Sequence, residues 1–240
     1  KPIGIIRNSR NARDVSCWHG AGDALPWPAA RTGISMTLTP NAGKRWSNGT
    51  VELMKHRRSI RKYQDRQISK ADLETIIEAG TYAPNAGGGQ RSMIVGIHNA
   101  ALAGKIGRMN VARFDRSKLS GSYVSQEQPS IIDDPSTKSG FYGAPTVCIV
   151  FAQKNFLYSI PDAFCCAENM VLMATELGIS SCIVARGEET FDSEMGTALL
   201  REWNIPENYI ARCFVLLGYV SGEYPGEKPR KAGHSKIVEG

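Results

Sequence analysis

Two apolar runs constrain this chain more than any other feature: Thr146-Val147-Cys148-Ile149-Val150-Phe151 and Arg212-Cys213-Phe214-Val215-Leu216-Leu217, the second polar only at its first residue. Short runs of this kind, rich in β-branched and aromatic residues, read as buried strands. Between them, Asp162 to Leu177 reads as a long apolar helix, closed by Gly178 just past its end, where glycine is favoured. Strands that are buried need helices to cover them. The expectation is therefore one α+β domain, a central mixed sheet flanked by helices. The same runs account for the cysteines. Cys148 and Cys213 lie inside them as buried thiols, Cys165 and Cys166 are adjacent, and no Cys-x-x-Cys spacing offers a zinc or iron–sulfur site. Reduced thiols in this number point to a reducing, cytoplasmic setting.

The rest of the chain divides near residue 47. Residues 1–47 hold four prolines, many small residues and three of the four tryptophans, with no sustained period. They are expected to form an arm, leader or linker without a catalytic role, ahead of a domain over 48–240. The N-terminal residues lack the apolar core and cleavage site of a secretory signal, and no stretch approaches the roughly 18 apolar residues of a membrane span. From Thr50 the pattern is regular. A short helix around Val51, Leu53 and Met54 ends in basic residues. Ser69 is placed to cap a second helix, with Asp72 at its third position and Ile68 able to staple onto Leu73. That helix stops near Pro84, because the residue before a proline avoids helical angles. Strands are expected at Met93–His98, Thr146–Ala152, Ser181–Val184 and Tyr209–Val220. Helices are expected at Ala100–Met109, Asp162–Leu177 and Ser193–Trp203, with a long polar excursion from Asn110 to Gly140.

Three motifs carry chemistry. Arg57-Arg58-Ser59-Ile60-Arg61 offers planar donor forks and a hydroxyl, a set suited to phosphate, and in an extended stretch Arg57, Ser59 and Arg61 share one side. Ala83-Pro84-Asn85-Ala86-Gly87-Gly88-Gly89-Gln90 is a glycine-rich loop that would let backbone approach a flat or charged ligand. Lys228-Pro229-Arg230-Lys231 is a second basic cluster, about 170 residues later. Taken singly, each reads as readily as a solvated helix end, a flexible turn or a basic terminus. The formal charge of +6 is read the same way, as a basic surface rather than a nucleic-acid site, since no basic run is interleaved with aromatics. Neither a P-loop nor a Gly-x-Gly-x-x-Gly turn is present, and no triad or hydrolytic carboxylate pair stands out. Cationic clusters without acid–base machinery suggest a bound cofactor that brings its own chemistry.

Arg57-Arg58-Ser59-Ile60-Arg61-Lys62-Tyr63, the capped helix after Ile68, and Ala83-Pro84-Asn85-Ala86 up to Gln90 together resemble the opening of the nitroreductase family. Leu177-Gly178-Ile179-Ser180-Ser181-Cys182 resembles its central segment. Leu217-Gly218-Tyr219 followed by Lys228-Pro229-Arg230-Lys231 resembles its closing motif. The resemblance implies an NAD(P)H-linked FMN oxidoreductase that is an intertwined homodimer, each flavin held by both chains. By matching positions, Arg57, Arg58 and Ser59 with Lys228 and Arg230 would hold the phosphate and ribityl end, and Arg61 would lie beside the N1–O2 edge. Pro84, Asn85, Ala86 and Gln90 would come from the partner, and Ser181, Cys182, Ile183 and Val184 would approach N5. NADH or NADPH would give a hydride, and a nitroaromatic, quinone or related small-molecule acceptor would follow in the same space, a ping-pong scheme. The alternatives are a specialised flavin enzyme of the same fold, such as a dehalogenase or ring oxidase, and a flavin-binding protein without turnover. No membrane or nucleic-acid partner is implied. Gly88, Arg91 and Ser92 depart from the family pattern, which has asparagine at the first position and proline-aromatic at the other two.

Overall fold

The computed structural model describes residues 49–113 and 136–239. The arm expected over residues 1–47 lies outside them, as does most of the polar excursion. In chain order the described elements are α1 (Thr50–His56), α2 (Lys70–Thr81), β1 (Met93–Ile97), α3 (Ala100–Ala112), β2 (Thr146–Gln153), α4 (Ser159–Glu176), β3 (Ser180–Val184), α5 (Glu194–Glu202) and β4 (Tyr209–Gly218). The strands form one sheet in the order β1-β2-β4-β3. All three pairings are antiparallel. The parallel component expected of a mixed sheet is confined, among the described residues, to an isolated bridge between Ser59 and Ser181.

The unbroken apolar runs are explained by a sheet buried on both faces. On β2, Cys148 and Val150 enter one core with α2 and α4, while Val147, Ile149 and Phe151 enter a second core beneath α3. On β4, Cys213, Val215 and Leu217 face the first core, and Phe214 and Leu216 the second. Side chains alternate across a strand, so a strand covered on both sides is apolar at every position. Burial pushes the Cys148 and Cys213 thiols up to about 12, which keeps both protonated and inert.

The alternation breaks once. Val150 pairs with Cys213 but Phe151 pairs with Ala211, so Arg212 has no partner across the sheet. This β-bulge reverses the phase of β4: Ala211 joins the second core although Cys213, two residues on, belongs to the first. The bulge also turns Arg212 into a buried knot of hydrogen bonds with Ser159, Gln153 and Lys154.

Local signals acted where they were expected. The Ser69 hydroxyl accepts from the Asp72 amide at 3.0 Å, and Ile68 and Leu73 are buried in the same core. Beyond α4, Gly178 adopts φ +72°, and the amides of Gly178 and Ile179 return to the carbonyls of Thr175 and Ala174. That is a Schellman closure, which requires the left-handed conformation glycine adopts without steric cost. Boundaries moved by a few residues. Helix α4 begins at Ser159 rather than Asp162, with Pro161 in its first turn, where the missing amide has no intrahelical partner to lose. Helix α3 runs on to Ala112, into the segment expected to be loop, because Asn110 is buried and its amide donates to the Arg186 carbonyl and Thr190 hydroxyl.

Candidate functional site

The segment after α1 is extended and hydrogen-bonded along the edge of the sheet. The Ile60 amide donates to the Ser181 carbonyl (2.9 Å), Gln64 to Tyr219 (2.8 Å), and Ser221 returns to Lys62 (3.0 Å). Its side chains therefore alternate: Ile60 is buried, while Arg57, Ser59 and Arg61 face a common cleft. The tail after β4 closes the other side. A cleft of about 320 Å³ is lined by Arg57, Arg58, Ser59, Arg61, Pro225, Gly226, Lys228 and Arg230. Five of these eight residues are cationic and none is acidic, so the cleft selects for an anion. The two basic motifs that were separate in sequence are one site in space.

Arg58 stands apart from its neighbours. Its guanidinium donates to the carbonyls of Lys55, His56 (3.0 Å) and Arg57 (2.8 Å), and through Nε to Gly226 (2.9 Å). It closes the C-terminus of α1 and holds the tail, so its donors are engaged by backbone, while Arg57 reaches Ser59 Oγ at 3.5 Å. Arg61 lies over the Tyr142 ring, 5.8 Å from its centre. Burial raises the Cys182 thiol, with Arg61 and Arg57 opposing the shift, which places both guanidiniums near β3. Burial also raises the Tyr63 phenol well above its ordinary value, and its hydroxyl donates to the Ile60 carbonyl at 2.7 Å.

The remaining expected residues lie elsewhere in the chain. Ser181, Cys182 and Val184 are buried in β3, and the Ser181 hydroxyl has no hydrogen-bond partner. Pro84, Asn85, Ala86 and Gln90 are on the loop between α2 and β1 and do not line the cleft. That loop is well braced. The Ala86 amide donates to Asp162 Oδ1 (3.0 Å) and the Gln90 amide to Asn85 Oδ1 (2.8 Å). Two of the three unusual residues there are accommodated, while the Ser92 hydroxyl is buried without a hydrogen-bond partner. Gly88 has φ +63°, a conformation that asparagine also tolerates. Arg91 donates to the Ala86 carbonyl (3.1 Å) and stacks its guanidinium 4.7 Å from the Phe156 ring centre.

Sequence reasoning missed two residues that shape this region. Tyr224 stacks on His56 and ties the tail to α1, and Tyr142 lies beneath Arg61. For Tyr224 the available signal was its place between β4 and the basic tail, ahead of Pro225-Gly226. No group of His, Cys, Asp or Glu spaced for a metal ion occurs among the described residues. None of the described helices is long and apolar enough to cross a membrane.

The sequence model of the nitroreductase family matches residues 54–219, the stretch that contains the whole sheet and the first half of the cleft. The chain belongs to the nitroreductase family. It is an oxidoreductase of that kind. A crystal structure of a nitroreductase with bound FMN from Bacteroides fragilis is 33% identical, with a TM-score of 0.66, and spans 80% of this chain and 100% of its own. A protein of Archaeoglobus fulgidus, provisionally named an NADH dehydrogenase/NAD(P)H nitroreductase, is 27% identical over 176 residues, covering 72% of this chain and 86% of that protein. An iodotyrosine deiodinase bound to FMN and 3-iodo-L-tyrosine shares the fold at 18% identity, with a TM-score of 0.58 over 80% of this chain and 98% of its own.

Proposed function

We propose that this nitroreductase-family protein is an FMN-dependent oxidoreductase that takes reducing equivalents from NADH or NADPH and passes them to a nitroaromatic, quinone or related acceptor. The observation that carries this reading is the cleft of five cations and a serine hydroxyl assembled from residues 57–61 and 225–230. Its charge and donor geometry suit a phosphate dianion, to which arginine forks bind in charge-assisted pairs. The absence of acidic residues from the lining and the orphaned Ser181 hydroxyl beside Ser59 fit a polar, anionic ligand.

In this reading Arg57, Ser59, Lys228 and Arg230 hold the phosphate, and Arg58 keeps the cleft's two walls together. Bound FMN would supply the two-electron redox chemistry. Arg61, which lies over Tyr142 in the same cleft, would sit beside the flavin ring rather than the phosphate and would favour negative charge developing there. No dinucleotide-binding motif is needed, since donor and acceptor would occupy the same space in turn, a ping-pong order.

The loop carrying Pro84, Asn85, Ala86 and Gln90 completes the site only from a second copy of the chain, so the working unit is a homodimer. The exposed apolar side chains of Val51, Met54, Tyr82, Leu157 and Ile160 support this, as does the lack of any buried residue in α1. The test is the absorption spectrum of freshly purified protein, followed by anaerobic mixing with NADH or NADPH. Flavin bands that bleach rapidly are expected. Protein without flavin, or flavin that neither nicotinamide reduces, overturns the reading.

A further inference from the structure

We propose that Tyr224 is a positioning residue for phosphate recognition, locking the C-terminal tail onto α1 so that Lys228 and Arg230 close over Arg57 and Ser59. This rests on the reading of the cleft as a phosphate site. Lys228 and Arg230 themselves lie in an irregular, exposed tail. Long cationic side chains on such a segment lose much of their binding energy to ordering unless the backbone is already placed.

Tyr224 does the placing, through three contacts. Its ring stacks on His56, the last residue of α1, with centres 4.8 Å apart and planes 9° from parallel. Its hydroxyl accepts from the Arg58 amide (3.1 Å) and donates to the His56 carbonyl (3.2 Å). One phenol thereby gives a second donor, beside the Arg58 guanidinium, to a carbonyl that the end of α1 leaves without an intrahelical partner, and accepts from an amide just beyond it. Two residues further on, the Gly226 carbonyl accepts from Arg58 Nε at 2.9 Å. The tail is thus fastened at Tyr224 and Gly226, immediately before Lys228 and Arg230. The helix end it is fastened to leads directly into Arg57 and Ser59. Of the tail residues 221–230, Tyr224 alone is not exposed. Burial accordingly raises its phenol, with the Arg58 amide opposing the shift.

The consequence is specific to the phosphate. Apart from its peptide link to Pro225, Tyr224 hydrogen-bonds to no residue of the cleft lining except Arg58, so its effect would reach a ligand through the placing of Lys228 and Arg230 and would be small for one that lacks the phosphate. The experiment compares FMN with riboflavin on the full-length chain, by fluorescence titration of flavin-free protein. Tyr224→Phe keeps the stack and removes both hydroxyl hydrogen bonds. It is expected to weaken FMN roughly three- to tenfold, about the worth of one such bond, because the loss reaches the ligand only through the placing of the tail, and to leave riboflavin unchanged. In a Lys228→Ala/Arg230→Ala background the same change should cost nothing further, because the residues it positions are gone.

Equal weakening of FMN and riboflavin would make Tyr224 a general prop of α1 and overturn the proposal. So would unchanged FMN affinity, or an effect that persists undiminished in the double-alanine background. Arg57→Ala separates this from the parent reading. If Arg57→Ala leaves the preference for FMN over riboflavin intact, the cleft is not the phosphate site at all. If Arg57→Ala abolishes that preference while Tyr224→Phe does nothing, the cleft stands and Tyr224 has no part in it.

Discussion

Arg212 should be the most expensive polar side chain in the described fold to remove. It is 9% exposed, and the bulge in β4 turns it inward to meet four acceptors. Nε donates to the Ser159 hydroxyl (2.8 Å), Nη2 to the carbonyls of Gln153 (3.3 Å) and Lys154 (3.0 Å), and Nη1 pairs with Glu188. These contacts join the end of β2, the start of α4 and the segment that follows β3. Arg212→Met preserves the stem's packing and deletes the donors. Not every partner suffers equally. The Glu188 side chain is 42% exposed and regains water, as do the carbonyls at the strand end, so their share is discounted. Ser159 is 2% exposed and stays buried without its partner, which costs about 1–3 kcal/mol. With the lost charge-assisted bonds the total comes to about 2–4 kcal/mol. For a domain of this size that is a fall in Tm of roughly 5–15 °C. The assay is urea unfolding of flavin-free protein, so that ligand binding does not enter, with the midpoint falling and the slope unchanged. Glu188→Gln, which keeps a hydrogen bond, should lose less than about 1 kcal/mol. An Arg212→Met variant within about 0.5 kcal/mol of the parent would refute the reasoning.

If Arg57, Ser59, Lys228 and Arg230 hold the phosphate, as proposed, Arg61→Ala should retain flavin. The midpoint potential should fall by about 30 mV for each roughly 1.4 kcal/mol of lost stabilisation of the reduced form. An unchanged potential with flavin intact would place Arg61 away from the ring. Sedimentation at low micromolar concentration should show only dimer, since shared-site interfaces of this type bury upwards of about 2,000 Å²; a flavin-loaded monomer contradicts it. Burial, reinforced by Arg58, lowers the His56 pKa below its ordinary 6.5. The unfolded chain therefore takes up a proton at His56 before the folded one does, and stability falls as pH drops below about 6.5. His56→Gln should flatten that dependence, and a stability profile identical to the parent's would show that His56 does not contribute.

How much of this could be read from residues alone depends on how far each signal reaches. The two-sided burial of β2 and β4 followed from apolar runs without alternation. The cap at Ser69, the closure at Gly178 and the shared side of Arg57, Ser59 and Arg61 followed from backbone geometry over a few residues. These are short-range matters, and the local sequence contains all the atoms that decide them. The strand order, the bulge at Arg212 and the fastening of the tail by Tyr224 are different. Each depends on partners that chain folding brings together from far apart, 168 residues in the case of Tyr224 and His56. A guanidinium in a sequence is five donors with no stated acceptors. Arg57 and Arg58 are adjacent, chemically identical and both line the cleft, yet Arg57 reaches only Ser59 Oγ while Arg58 spends its donors on helix-end and tail carbonyls. The sequence by itself determined that these cations were present, in a pattern whose donor geometry suits phosphate. Only tertiary structure decided which of them remain available for a ligand, because each donor is claimed by whichever acceptor packing brings within reach.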